Sequence, residues 1–192
     1  MGYTSKDEKL YLSALYLNGW QKIARPDGIQ NPSFGTQINY KPSKNLVLNY
    51  STFLGTDKPD SLNAFRQFHN FYLMYEPTSK FGIIAGLDIG RDKFSPNQVG
   101  TWYSPVLIFR QSLNDKTRIA FRGEYYSDPN QIIIATGTTN GFQTYGFSSN
   151  LDYDLNEKVK FRVEGKMYHS KDKIFANQNN NYSLSTNMSI KF

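Results

Sequence analysis

The chain has 192 residues and a net charge of +6, from 22 Lys+Arg against 16 Asp+Glu. That length suits one domain, and no apolar run nears the roughly 18 residues of a membrane helix, which excludes a helical membrane protein. Fourteen Phe, 14 Tyr and 2 Trp are too many aromatics for a disordered basic tail, and the lack of Cys excludes disulfides and thiolate metal sites.

The N-terminus reads Met1-Gly2-Tyr3-Thr4-Ser5-Lys6, without a basic segment leading into an apolar one. A secretory leader is therefore not expected here, and the chain reads as a mature form or a piece of a longer one. From there to the end the apolar residues recur with period 2, the mark of strands with one greasy and one polar face. Ten strands are expected, near 10–20, 33–41, 45–54, 66–76, 80–90, 102–112, 117–126, 142–154, 158–169 and 182–192. Most are longer than the usual 5–6 residues and match the roughly 9–11 tilted residues of a transmembrane strand.

The two faces separate cleanly in the later strands. Val159, Phe161, Val163 and Met167 alternate with Lys160, Arg162, Glu164 and Lys166. Ile119, Phe121 and Tyr125 alternate with Arg118, Arg122 and Glu124. The strands near 10–20 and 66–76 are mixed, and their facing stays open. The last strand alternates to the final Phe192.

Connections alternate in length. The short ones are Lys41–Lys44, Pro77–Ser79, Leu113–Lys116 and Leu155–Glu157. The long ones, near 21–32, 55–65, 91–101, 127–141 and 170–181, carry the Gly, Pro, Asn and Asp residues that favour turns. Short turns at one end and long loops at the other describe an outer-membrane barrel with periplasmic turns and extracellular loops. Both termini then fall at the periplasmic end, and the strand number is even. A weak repeat, Asn114-Asp115-Lys116 with Phe121-Arg122 and Asn156-Glu157-Lys158 with Phe161-Arg162, suits a meander of hairpins.

Orientation follows from where the greasy face can go. Turned inward, some fifty large side chains would crowd one lumen, when barrels of about eight strands are already full. Turned outward, the same face meets lipid. Tyr16, Trp20, Tyr40, Tyr50, Tyr75, Trp102, Tyr103, Tyr125, Tyr153 and Phe192 lie near strand ends, where rings form interfacial girdles. The expected fold is all-β: an antiparallel up-and-down transmembrane β-barrel of about ten strands, occupying residues 1–192 as one domain.

Several segments carry a family resemblance. They are Leu48-Asn49-Tyr50-Ser51-Thr52-Phe53-Leu54-Gly55-Thr56-Asp57, Arg66-Gln67-Phe68-His69-Asn70-Phe71-Tyr72, Trp102-Tyr103-Ser104-Pro105 and Arg122-Gly123-Glu124-Tyr125-Tyr126. Gly137-Thr138-Thr139-Asn140-Gly141-Phe142-Gln143-Thr144, Ser170-Lys171-Asp172-Lys173-Ile174-Phe175 and the terminal Phe192 continue the series. In that order, across about residues 34–192, the chain resembles the OmpL-like β-barrel porins of bacterial outer membranes. The resemblance implies outer-membrane lipid as surroundings, small solutes or ions as cargo, no cofactor and no catalysis. It also implies that Phe192 on its amphipathic strand is a signal for the barrel-assembly machinery. Members of that family are longer and begin with a leader. This chain is therefore expected to be the C-terminal part of a larger barrel, with closure at ten strands open.

The lumen-facing charges are the leading candidates for function. By alternation they include Lys41, Arg66, Arg110, Arg118, Arg122, Lys160, Arg162, Lys166 and Lys191, opposed by Glu76, Asp88, Glu124, Asp152 and Glu164. Arg110, Arg122, Glu124, Arg162 and Glu164 are expected to form a belt across the inner wall, with Gly146 and Ser148 leaving room between. The belt either sets the field of a water-filled pore or plugs a narrow lumen with salt bridges. Other readings are weaker. His69 and His169 could serve a barrel hydrolase with Asp60, Ser61 or Asp172, but no local signature supports it. Gly137 to Gly141 lacks the Lys and the context of a phosphate loop, and Asn140-Gly141 reads as a hairpin turn. Asp27, Asp57 and Asp60 match no metal-loop spacing and read as solvated turns. Ile132-Ile133-Ile134 extends its hairpin or folds inward as a constriction. The basic residues alternate with acidic ones, so no nucleic acid is expected. The leading function is passive diffusion of small hydrophilic solutes or ions; the alternative is a non-conducting barrel whose long loops bind a partner or ligand.

Overall fold

A computed structural model describes every residue except Pro26. The chain forms one antiparallel meander in which each strand pairs with its sequence neighbours. Its elements are β1 (Gly2–Thr4), β2 (Leu10–Leu17), β3 (Ser33–Ser43), β4 (Leu46–Gly55), β5 (Arg66–Thr78) and β6 (Phe81–Ser95). They continue as β7 (Gln98–Ser112), β8 (Thr117–Asp128), β9 (Phe142–Asp154), β10 (Val159–Ser170) and β11 (Asn180–Ile190). A 3-10 turn, Asp60–Leu62, interrupts the second long connection.

Two differences from the sequence expectation concern the ends. The expected even count becomes eleven strands, because Gly2–Thr4 pairs with Tyr11–Ser13 and sets Tyr3 opposite Leu12. Three residues are too few for alternation to register in the sequence. Met1 consequently lies against Ala14, part-way along β2, and not at the turn end. Phe192 does lie at the short-turn end, where the Lys191 N–H donates to the Lys158 carbonyl. β1 and β11 do not pair with each other.

A third difference lies at 91–101. These residues are strand, not loop: β6 and β7 each run 15 residues and turn at Pro96-Asn97. Fifteen residues span about 50 Å, well beyond the 9–11 that cross a bilayer. The segment Arg91-Asp92-Lys93 is polar on both faces, which suits a ladder above the membrane and hides it from an amphipathic pattern.

The repeated short turns share a physical cause. The Asn114 carboxamide oxygen accepts the N–H groups of Lys116 and Thr117, both at 2.9 Å. Asn156 does the same for Lys158 and Val159, at 2.9 and 3.0 Å. Such an Asx turn fixes the hairpin length and hence the register.

Register assigns every face. Ile119, Leu151, Val163 and Thr186 stand side by side on one surface of β8 to β11. One step away Arg118, Asp152, Arg162 and Asn187 stand together on the other. The same rule puts Leu10, Leu12, Ala14 and Tyr16 of β2 and Phe71, Leu73 and Tyr75 of β5 on the apolar surface. That surface is uncovered: Leu184 is 76% exposed, and Phe121, Phe147 and Leu151 are also open. In water such a continuous apolar surface would be untenable; lipid is its natural solvent. Tyr103, Tyr125 and Tyr145 form a chain of rings 5.9 and 4.4 Å apart toward the long-loop end. Tyr145 to Tyr153 on β9 is about 26 Å of strand, or about 20 Å along the axis at a tilt of about 40°, close to an outer-membrane apolar band.

Candidate functional site: the inner wall and its long-loop mouth

The polar face is concave. One cavity of about 460 Å³ is lined from Met74 and Glu76 on β5 round to Arg162 on β10. The chain therefore curves with its ionic residues inside and its apolar ones outside. Arg110 and Arg162 line this cavity together with Arg118 and Asp152.

The five belt residues do not join into one network. Each takes a local partner. Arg110 Nη2 reaches Glu76 Oε1 across β6 at 2.8 Å, over Gly82. Arg122 pairs with Glu124 two residues along β8. Arg162 grips Asp152 on β9 with two parallel bonds of 2.6 and 2.7 Å, the fork geometry of strong guanidinium–carboxylate pairs. Glu164 lies 3.9 Å from Lys166, and Arg118 pairs with Asp154. The room at Gly146 is real, but Glu124 and Tyr168 fill it: a Cβ there would lie 2.7 and 2.8 Å from their atoms. The opposite stretch of wall carries amides that end on one carboxylate. Gln37 donates to Asn49, Asn49 to Asn70 and Asn70 to Asp88, at 2.9, 3.2 and 2.6 Å, forming an amide ladder from β3 to β6.

At the long-loop mouth the inner wall carries a small core. Arg66 and Asp92 are almost wholly buried, at 4% and 1% exposure. Arg66 Nη2 is 2.9 Å from Asp92 and 3.5 Å from Asp57, and Lys58 lies 3.2 Å from Asp92. The guanidinium also sits 5.3 Å from the Trp20 ring and 5.7 Å from the Trp102 ring. Trp20 packs edge-on against Phe53 and Phe68 at 5.1 and 4.8 Å. The two tryptophans are thus not part of a lipid girdle, contrary to the sequence expectation. Trp102 shares the inner face of β7 with Arg110, and the first long loop folds inward to bring Trp20 over the wall. Gly90 opposite Trp102 is obligatory, since a Cβ there would sit 2.1 Å from the indole.

The fourth long connection also folds inward, which settles the open question at Ile132–Ile134. The buried Asp128 carboxylate accepts the N–H groups of Ile132, Ile133 and Ile134 at 2.9, 2.7 and 3.0 Å. This capture, with Pro129, ends the ladder at Asp128 and leaves a 129–141 loop in place of a two-residue turn at Asn140-Gly141. Gly141 closes it with φ of 62°, and a Cβ there would strike the Asp128 carbonyl at 2.5 Å. Asp172 of the next loop accepts from the Asn140 backbone and carboxamide, each at 2.8 Å.

Those two bonds hold the Asp172 carboxyl below the usual carboxylate range. A depressed native pKa means this contact stabilises the fold above the unfolded value of about 3.9 and is lost as pH falls through the native one. The protection of the Asn140 amide, its exchange rate relative to the unstructured chain at the same pH, is expected to hold from pH 7 down to about 4 and to fall below it. Asp172→Asn should give fast exchange already at pH 7; an unchanged rate would show that the contact does not hold the loop.

The weaker sequence candidates have structural roles. His69 faces outward, stacked on Tyr50 with rings 6.0 Å apart and its Nδ1 2.8 Å from the phenol oxygen. His169 faces outward and meets Asn180 at 2.8 Å. Neither lies beside Asp60, Ser61 or Asp172 among the hydrogen bonds of the described residues. Asp60 accepts from the Gln30 N–H at 2.9 Å, and Asp57 serves Arg66.

The model of the family described as "Putative beta-barrel porin-2, OmpL-like" matches residues 1–192. The chain belongs to this family of β-barrel porins. Among solved structures, the NanC porin in a rhombohedral crystal form matches with a TM-score of 0.49 and 15% identity, over 100% of this chain and 97% of that one. No curated protein matches by sequence. As a porin of an outer-membrane β-barrel family the chain has lipid as its surroundings, and the uncovered apolar surface is the face that lipid wets.

Proposed function

We propose that the chain works by passive diffusion of small hydrophilic solutes or ions across the bacterial outer membrane, along the concave ionic wall, without chemistry. The observation that carries this reading is the division of faces: apolar residues stand uncovered outside while arginine–carboxylate pairs line a cavity inside. Local pairing of the wall arginines with carboxylates keeps the wall polar and hydrated and limits the concentration of one sign of charge. The place of Phe192 at the short-turn end supports its reading as a signal for the assembly machinery.

A second reading is supported by the packing at the mouth. Loops anchored by Trp20, Arg66 and Asp128 lie over the inner wall, which suits a non-conducting barrel whose loops bind a ligand. Planar-bilayer recording separates the two. Stepwise conductance is expected under the first reading; a reconstituted, folded chain that never conducts would establish the second. In a conducting chain, Arg122→Gln with Arg162→Gln leaves Glu124 and Asp152 without their cations. The reversal potential in a salt gradient is then expected to move toward cation preference. No movement would mean that these pairs lie off the ion path.

A further inference from the structure

Between the inner wall and the inward loops lies a recess of about 220 Å³. Two aromatic pairs wall it. Tyr126 meets Phe142 edge-on at 5.5 Å, and Tyr168 stacks with Phe175 at 6.3 Å and 29°. Ile134 of the captured loop closes one side.

Of the polar groups lining this recess, Thr144 and Glu124 are the most telling. Thr144 is 3% exposed, and its hydroxyl has no hydrogen-bond partner. A buried hydroxyl left unpaired is unfavourable, and natural structures rarely tolerate one unless something else supplies its partner. Glu124 gives Oε2 to Arg122, while its Oε1 takes no bond among the described residues. The recess therefore offers aromatic faces together with a buried unpaired hydroxyl on Thr144, further hydroxyls on Ser104, Tyr126 and Tyr168, and one free carboxylate oxygen.

A cation would meet aromatic faces and a carboxylate here, but the local charge opposes it. Arg122 already neutralises Glu124, and the Lys166 ammonium stands 5.7 Å from the Tyr168 ring. A neutral ring with C–H faces and peripheral hydroxyls satisfies every feature. Its faces lie on the aromatics, and its hydroxyls donate to Glu124 Oε1 and bond Thr144. The volume is below the 300–1,000 Å³ of drug-sized sites, so one ring fits. We propose that this recess is a subsite for a single neutral hydroxylated ring, one hexose-type sugar residue, at the long-loop mouth. The proposal rests on the diffusion reading above and names a substrate class for it.

The test uses the full chain in planar bilayers with D-glucose, D-mannitol and choline as probes. Glucose is expected to reduce the current saturably, with little effect from mannitol or choline. Thr144→Val and Phe175→Ala are each expected to raise the half-blocking concentration about tenfold or more, each variant being compared with its own sugar-free current. Phe175 lies on a loop, so its removal keeps the test open if Thr144→Val fails to fold. A conducting chain with no saturable glucose block overturns the subsite and leaves the pore reading standing. Equal block by mannitol, or block by choline alone, overturns the ring assignment. A chain that never conducts overturns the pore reading. Calorimetric titration of glucose into the folded protein in detergent then decides the subsite: heat that Phe175→Ala abolishes supports it, and no heat overturns it.

Discussion

Arg66→Ala is expected to cost about 3 kcal/mol or more of folding stability, the penalty typical of a buried ion pair stripped of one partner. Asp92 is 1% exposed and keeps Lys58 at 3.2 Å as its one cation, beside the Lys93 N–H at 2.7 Å. Asp57 loses its cation at the same time, and Trp20 and Trp102 lose the guanidinium near both. The loss is concentrated at the mouth, because the cluster ties the loops near 18–32 and 56–65 to β5 and β6. Protease should cut those loops in the variant before the strands are touched. In a conducting chain the released loops should also raise the single-channel conductance. Arg66→Lys should recover only part of the loss, since an ammonium lacks the fork that bonds Asp92 through Nε and Nη2 at 3.0 and 2.9 Å. Arg66→Met with Asp92→Leu should be less damaging than Arg66→Met alone, because no buried charge is then left unpaired. Urea titration of the reconstituted protein reads all four variants. A cost under about 1 kcal/mol for Arg66→Ala would show the cluster to be no stronger than a surface ion pair.

The strands were legible in the sequence because the two solvents of a membrane barrel impose period 2 on every residue that crosses. Boundaries for β8 to β11 follow that pattern to within about two residues. The pattern fades where both faces meet water, so β6 and β7 extend past their expected ends through Arg91, Asp92 and Lys93. Trp102 and Tyr103 were both expected in the girdle, yet neighbours on a strand face opposite ways. Parity with Arg110 places Trp102 inside, and the sequence held that signal. Register is a different matter. Arg122 and Glu124 are two apart on one strand and could be matched by eye, whereas Arg66 and Asp92 are 26 apart. Their pairing depends on a β5–β6 alignment that only the folded hairpin fixes. The same holds for Arg110 with Glu76, 34 apart across an intervening strand. The inward folding of 129–141 is also local chemistry: an Asp before Pro, followed by free backbone N–H groups, can capture them. The orphaned Thr144 hydroxyl has no sequence signal at all, because burial beneath a loop is a tertiary fact.

The orientation of the wall makes the sharpest contrast between adjacent residues. Phe147 and Ser148 are neighbours on β9 with opposite faces. Phe147 lies opposite Gly123 on β8 and Met167 on β10, its ring 3.7 Å from where a Gly123 side chain would begin. It is 53% exposed on the apolar surface, between Tyr145 and Tyr153. Phe147→Arg therefore puts a guanidinium into hydrocarbon about a quarter of the way into the band, at a cost of about 1–3 kcal/mol, and also uncovers the glycine beneath. Ser148→Arg puts the same charge on the inner wall between Arg122 and Lys166, with Glu124 and Glu164 on the diagonals, where water can screen the like charges. It should change stability by no more than about 1 kcal/mol. Urea titration of folding into phosphatidylcholine vesicles measures both variants. If the wall faces as described, Phe147→Arg unfolds at clearly lower urea than Ser148→Arg. Equal midpoints, or the reverse order, would mean that lipid does not meet the surface carrying Phe121, Phe147 and Leu184, and the diffusion reading would fail with it.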